Sequence, residues 1–171
     1  TGTVSNNGTL TASTTLAGAG TLTNSALGNL SFGGSSIAPV LIATAAGNTV
    51  RYTAAGAQTV KATTYSNLVL AGSGAKSISS ATISIAGNFS VVTGALANIG
   101  NGLNINAGRL TLGGLNKIGG TWGATLSSAT HTDTTQVDAN TGIINVAGEA
   151  RQTPEVTGVN ETQSVQSGKG V

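Results

Sequence analysis

The chain has 171 residues, 26 glycines, two prolines, no cysteine and no methionine, and only 7% of its residues are charged, with a formal net charge of +2. That length is enough for one domain with a sizeable core, and the 39% hydrophobic fraction argues against a disordered chain. The absence of cysteine excludes disulfides and thiolate metal sites.

Taken in chain order, the sequence repeats one short device: a small residue, a polar residue, then an alternating apolar strand. After Thr3-Val4 it runs Gly8-Thr9-Leu10-Thr11-Ala12, then Gly28-Asn29-Leu30-Ser31-Phe32. Gly47-Asn48-Thr49-Val50-Arg51-Tyr52 follows with its apolar positions shifted by one. The device returns as Ser66-Asn67-Leu68-Val69-Leu70, Gly87-Asn88-Phe89-Ser90-Val91 and Gly108-Arg109-Leu110-Thr111-Leu112. These landmarks begin at 8, 28, 47, 66, 87 and 108, in steps of 20, 19, 19, 21 and 21 residues. Shorter alternating stretches fill the gaps: Thr21-Leu22-Thr23, Gln58-Thr59-Val60-Lys61, Ser77-Ile78, Thr82-Ile83-Ser84-Ile85 and Leu103-Asn104-Ile105.

A fixed period near 20 marks a repeat architecture, and period-2 alternation within each unit marks strands. Glycine and asparagine between strands supply corners with positive φ. Two or three short strands per unit predict an all-β parallel β-helix, a β-solenoid with 19–21 residues per coil. Each coil buries its apolar face only against its neighbours. Roughly seven coils at about 4.8 Å each would form a rod about 35 Å long. Asn29, Asn48, Asn67 and Asn88 share one repeat position and predict an asparagine ladder, amide bonded to amide. The alternative fold is an antiparallel β-sandwich, which gives no reason for a constant period.

Residues 1–147 are expected to form the solenoid and residues 148–171 a polar tail or linker. Past Gly120 the repeat loosens into a Ser/Thr-rich stretch, and Ile143-Ile144-Asn145-Val146 forms a last apolar strand. In the tail, Glu155-Val156-Thr157-Gly158-Val159 and Gln163-Ser164-Val165-Gln166 alternate weakly and are candidates for pairing with a neighbouring molecule. Solenoid ends expose unpaired edges and apolar interiors, and the sequence offers neither a helix nor a charged blocking strand for the N-terminal end, so either more protein precedes Thr1 or a neighbour stacks there. Val4, Leu10, Ile143, Ile144, Val146, Val156 and Val159 are therefore the candidate end-to-end assembly residues. Heterologous stacking that does not close yields a filament. Residues 1–132 carry Arg51, Lys61, Lys76, Arg109 and Lys117 with no acid, whereas residues 133–171 carry five acids against Arg151 and Lys169. This asymmetry favours head-to-tail attraction.

Two stretches carry a family likeness. One reads Gly47-Asn48-Thr49-Val50-Arg51-Tyr52, Ala55-Gly56-Ala57-Gln58-Thr59-Val60-Lys61, Thr64-Tyr65-Ser66-Asn67-Leu68-Val69-Leu70 and Gly72-Ser73-Gly74-Ala75-Lys76. The other reads Ile118-Gly119-Gly120-Thr121-Trp122-Gly123, then Ser127-Ser128-Ala129-Thr130 and Gly142-Ile143-Ile144-Asn145-Val146. Both resemble β-strand repeats of very large surface proteins of Bacteroidetes-type bacteria. The resemblance implies an exported structural protein, extracellular or on the cell surface, and it transfers no catalytic residue.

Signs of chemistry are sparse. His131 is the one histidine, and Asp133 and Asp138 are the closest acidic pair. With no carboxylate before residue 133, the repeat body cannot supply the paired acids of a glycosidase, so the expectation is a non-enzyme without metal or cofactor. Gly18-Ala19-Gly20 and Gly72-Ser73-Gly74 lack the Lys-Ser/Thr and helix of a phosphate loop. Scattered cations and 3% aromatics argue against nucleic acid, and no apolar run reaches the length of a spanning helix. The expected role is a stalk or self-assembling filament subunit of a bacterial adhesin, a homo-oligomer with a possible host-surface ligand. The alternative is a glycan- or ice-binding module, with outward threonines such as Thr9, Thr11, Thr21 and Thr23 arrayed on a flat face and sugars stacked on Tyr52, Tyr65 or Trp122. Thr1 in place of a methionine suggests a processed form or a fragment.

Overall fold

A computed structural model describes residues 2–148 of the chain. It is an all-β, mostly parallel β-solenoid of about six turns, and the β-sandwich alternative is set aside. Each coil runs over three faces. The first coil holds β1 (Thr3–Asn6) and β2 (Thr9–Ala12), then reaches the third face at Leu16. The second repeats this with β3 (Thr21–Asn24), β4 (Asn29–Phe32) and Ile37, and the third with β5 (Val40–Ile42), β6 (Thr49–Tyr52) and β7 (Gln58–Thr59). The fourth holds β8 (Thr64–Tyr65), β9 (Asn67–Leu70) and β10 (Gly74–Ile78). In the fifth, β11 (Ser84–Val91) covers two faces and bends at a register shift between Ile85 and Asn88, before β12 (Ala95–Ile99). In the sixth, β13 (Asn104–Leu112) again covers two faces.

Parallel pairing from coil to coil puts equivalent residues in columns. On the second face Leu10, Leu30, Val50, Leu68, Phe89 and Leu110 stack inward. Two residues on, Ala12, Phe32, Tyr52, Leu70, Val91 and Leu112 form a second column. Alternation aims every second side chain into the rod, which is why aliphatic residues two apart both reach the core. Phe32 and Tyr52 meet edge to face, with centroids 5.8 Å apart, the arrangement that ring quadrupoles favour.

Few landmark glycines serve as positive-φ corners. Gly47 does, at φ 92, whereas Gly28, Gly87 and Gly108 have no positive φ. A Cβ on those three would lie 2.7 Å from Asn6 O, 2.8 Å from Ser66 O and 2.3 Å from Ala86 O, respectively. They are glycine because backbones of successive coils pass too closely for a side chain.

The third face is less regular. The Leu16–Ile37 bridge and the β7–β10–β12 ladder are not joined by strand pairing among the described residues. Side chains from this face reach carbonyls of the preceding coil. Gln58 Nε2 donates to Phe32 O and Gly34 O at 3.1 and 2.8 Å, and Lys61 Nζ donates to Ile37 O at 3.0 Å. Lys76 is fully buried, and its ammonium donates to Ala54 O, Gly56 O and Ser73 O at 2.8, 2.5 and 2.9 Å. Three donors meet three acceptors, while burial holds its pKa below the usual lysine range.

The chain then reverses. β14 (Leu115–Lys117) pairs antiparallel with the second half of β13. β15 (Gly120–Gly123), β16 (His131–Thr132) and β17 (Ile143–Val146) follow. β17 lies parallel on the first half of β13, β15 lies antiparallel on β17, and Val137 bridges to Ala97 on the third face. Noncontiguous segments thus close all three faces, which is why the parallel winding stops short of the seven coils expected from the repeat.

Candidate functional site

Among the described residues the two ends of the rod are unequal, and the first coil has no strand stacked on its outer side. β1 and β2 are the outermost strands of their sheets, so one edge of each keeps its backbone groups unpaired by strands. Inward side chains that deeper coils cover are uncovered there. Val4 is 58% exposed, although its column neighbours Leu22 and Leu41 are 4% and 3% exposed. Leu10 and Leu16 are half-buried, whereas Leu30 is 0% exposed. The result is an apolar groove of about 560 Å³, lined by Val4, Leu10, Leu16 and Leu22 together with Gly2 and Pro39.

The other end is closed, which corrects part of the expected assembly surface. Ile144 and Val146 are buried and Ile143 is half-buried, because β17 lies between β13 and β15 rather than at a free edge. The antiparallel return through Gly120–Gly123 supplies that cover, and strand periodicity alone does not announce it. The apolar residues that this end does expose are Leu115, Ile118 and Leu126, at 68%, 66% and 67%. Val156 and Val159 lie outside the described residues.

The asparagine ladder exists in a different form. Asn29, Thr49 and Asn67 share one column, so Asn48 sits one position earlier than the repeat suggested. The relay mixes bonds between side chains with bonds between side chain and backbone, and it recruits two asparagines that the landmark missed. Asn6 Nδ2 donates to Asn24 Oδ1 at 2.8 Å, and Asn24 Nδ2 donates to Gly28 O and Thr49 O at 3.1 Å each. Asn48 Nδ2 donates to Asn24 O at 2.6 Å, and Asn67 Nδ2 to Asn48 O at 2.8 Å. Asn88 N donates to Asn67 Oδ1 at 2.9 Å, and Thr111 Oγ1 to Asn88 Oδ1 at 3.2 Å. Asn29 is exposed. The clue available in the sequence was the equal position of Asn6 and Asn24 at the ends of two alternating strands.

The candidate ligand face does not form. Tyr52 and Tyr65 are 0% exposed. Tyr65 donates its hydroxyl to Lys61 O at 2.6 Å, and Tyr52 accepts from Lys61 N at 2.8 Å. The two hydroxyls lie 3.2 Å apart, and since Tyr65 has spent its one donor, Tyr52 donates to Tyr65. Burial pushes both phenols above their ordinary range. Trp122 is 9% exposed. His131 stacks on its ring at 4.8 Å, Lys117 Nζ lies 5.2 Å from the ring centroid, and its indole N–H donates to Ile118 O. The hydroxyl columns break early. Thr9 and Thr21 lie on different faces, Thr21 is followed by Val40, and Thr11 and Ser31 are followed by Arg51.

His131 and the acids have local structural partners. Asp133 pairs with Lys117 at 3.6 Å and accepts from Thr135 N and Gln136 N, and Asp138 accepts from Ala139 N. Among the described residues no three His, Asp or Glu side chains converge as a metal site, and no helix is long and apolar enough to cross a membrane.

Comparison with known proteins adds no relative, as no protein family, curated protein or solved structure matches the chain. The fold therefore defines the class by itself: an all-β, mostly parallel β-solenoid.

Proposed function

We propose that the chain is a structural module of an exported bacterial surface protein, joining copies of itself head to tail as a stalk or filament that serves adhesion. The observation that carries this reading is the uncovered inward column at the N-terminal end, with Val4 at 58% exposure above a fully packed interior. Exposed apolar interior and unpaired strand edges favour association. The opposite end offers Leu115, Ile118 and Leu126 as apolar ground for a neighbour. A directional contact between unlike ends does not close on itself. The role is non-enzymatic, in keeping with the lack of any acid before residue 133. The family likeness of residues 47–85 and 118–146 supports export and a place on the cell surface.

Electron microscopy and light scattering of the purified full chain over a range of concentrations test the proposal. Rods or filaments whose length grows with concentration are expected. Monodisperse single particles at every concentration would contradict it. Glycan-array binding or thermal hysteresis by such single particles would move the assignment to the glycan- or ice-binding alternative.

A further inference from the structure

We infer that a cleft in the third face, between the second and third coils, binds a carboxylate-bearing sugar residue. The cleft adds a ligand to the reading above and involves neither end of the rod. Strand pairing is interrupted here among the described residues: Ile37 bridges only to Leu16, and β7 pairs only with β10. Side chains tie the two coils together instead. Gln58 Nε2 bonds Phe32 O and Gly34 O, and Lys61 Nζ bonds Ile37 O and Ala38 O at 3.0 and 3.4 Å. A cavity of about 210 Å³ lies at the interruption, with Ser36, Ile37, Thr59, Val60, Lys61 and Ser79 in its lining.

The lining matches such a ligand group by group. Ile37 and Val60, 6% and 2% exposed, give an apolar floor for the C–H face of a ring. Ser36, Thr59 and Ser79 are exposed, and their hydroxyls have no partner among the described residues. Each is free to donate to or accept from a sugar hydroxyl. The Lys61 ammonium has three protons and two carbonyl partners, which leaves one N–H for a charge-assisted bond to a carboxylate. No described carboxylate pairs with Lys61. Asp138, beside the Val137 bridge, lies three strand spacings from β7, or about 14 Å, beyond a Debye length of about 8 Å at physiological salt. The cleft therefore favours an anion, and three open hydroxyls favour a polyhydroxylated one over an acidic peptide.

Ligand-observed NMR titration of the full chain with glucuronate, glucose and acetate tests the site. Glucuronate is expected to bind in the millimolar range, about tenfold more tightly than glucose or acetate, the factor that one hydrogen bond to a charged group supplies. Lys61→Ala is expected to weaken glucuronate by about the same factor. Thr59→Glu, which sets a carboxylate on an exposed residue of the lining, is expected to abolish binding. Arg51→Ala, on the second face, should leave it unchanged, and circular dichroism checks that each variant keeps its fold. Acetate bound as tightly as glucuronate would overturn the sugar in favour of a free carboxylate or an acidic peptide. Glucose bound as tightly would overturn the role of Lys61. Glucuronate binding that survives both Lys61→Ala and Thr59→Glu, or no binding at all, would overturn the site. Ligand binding is read without reference to assembly, so a chain that binds glucuronate but never forms filaments contradicts only the head-to-tail reading.

Discussion

Val4 and Leu22 occupy the same inward position on successive coils, yet Val4 is 58% exposed and Leu22 only 4%. The difference is that no described strand stacks on the outer side of β1. Fully burying an aliphatic side chain of this size contributes about 1.5–3 kcal/mol, and Val4 at 58% exposure gains only part of it.

The first prediction follows from that pair. Leu22→Ala empties a packed site and is expected to cost about 2–5 kcal/mol. Val4→Ala removes a side chain that water already reaches, and its cost is expected to stay within about 0.5 kcal/mol. Denaturant unfolding at concentrations too low for assembly compares them. Equal costs would mean that the first coil is covered in the monomer.

Asn24 links three coils through one carboxamide. Asn24→Ala leaves Asn6 Nδ2, Gly28 O and Thr49 O without this partner, and leaving buried polar groups unpaired costs about 1–3 kcal/mol. Asn29→Ala, on an exposed residue, is expected to be near neutral. Thermal unfolding of the two variants checks the contrast, and it fails if Asn29→Ala is the more damaging.

The chain has two tyrosines, both fully buried with their pKa values raised by desolvation. In the unfolded chain each ionises near pH ~10. Native pKa values above that mean that the unfolded state binds fewer protons at higher pH. Their contribution to stability is therefore complete below about pH 10 and falls as pH rises past it. Lys76, lowered in the native state, acts oppositely: stability rises between its native pKa and about 10.5, where only the unfolded chain still binds the proton. Tyrosinate absorbance should stay absent until the rod unfolds, then appear for both residues in one step. A smooth titration of either tyrosine in the folded protein would contradict the hydroxyl network.

Gly34 and Gly56 separate backbone crowding from open surface. A Cβ at Gly34 would lie 2.1 Å from Thr14 O, whereas at Gly56 nothing lies within 4 Å. Gly34→Ala is expected to destabilise by about 1–3 kcal/mol through forced separation of the first two coils, and Gly56→Ala to be tolerated. Circular dichroism melts decide between them.

The parallel winding was legible because alternation and a period near 20 survive in every unit. The inward columns Leu10 to Leu110 and Ala12 to Leu112 follow directly from it. Three things were not legible. Lys76 counts as a surface cation in the sequence, but its burial depends on carbonyls of another coil, at Ala54 and Gly56. Tyr52 and Tyr65 look like ligand aromatics until their position on inward columns is known. The closed end is assembled from antiparallel returns at Leu115–Lys117 and Gly120–Gly123, which obey no repeat, so Ile144 and Val146 looked like a free end.

Sedimentation of the full chain beside its Val4→Glu and Leu27→Glu variants bears most directly on the unequal ends. Val4, 58% exposed, lines the groove, and Leu27, 83% exposed, lies outside it. The unmodified chain and Leu27→Glu should grow in mass with concentration, and Val4→Glu should sediment as a monomer throughout. Growth of Val4→Glu equal to that of the unmodified chain, or an unmodified chain that never grows, would contradict assembly through the uncovered coil.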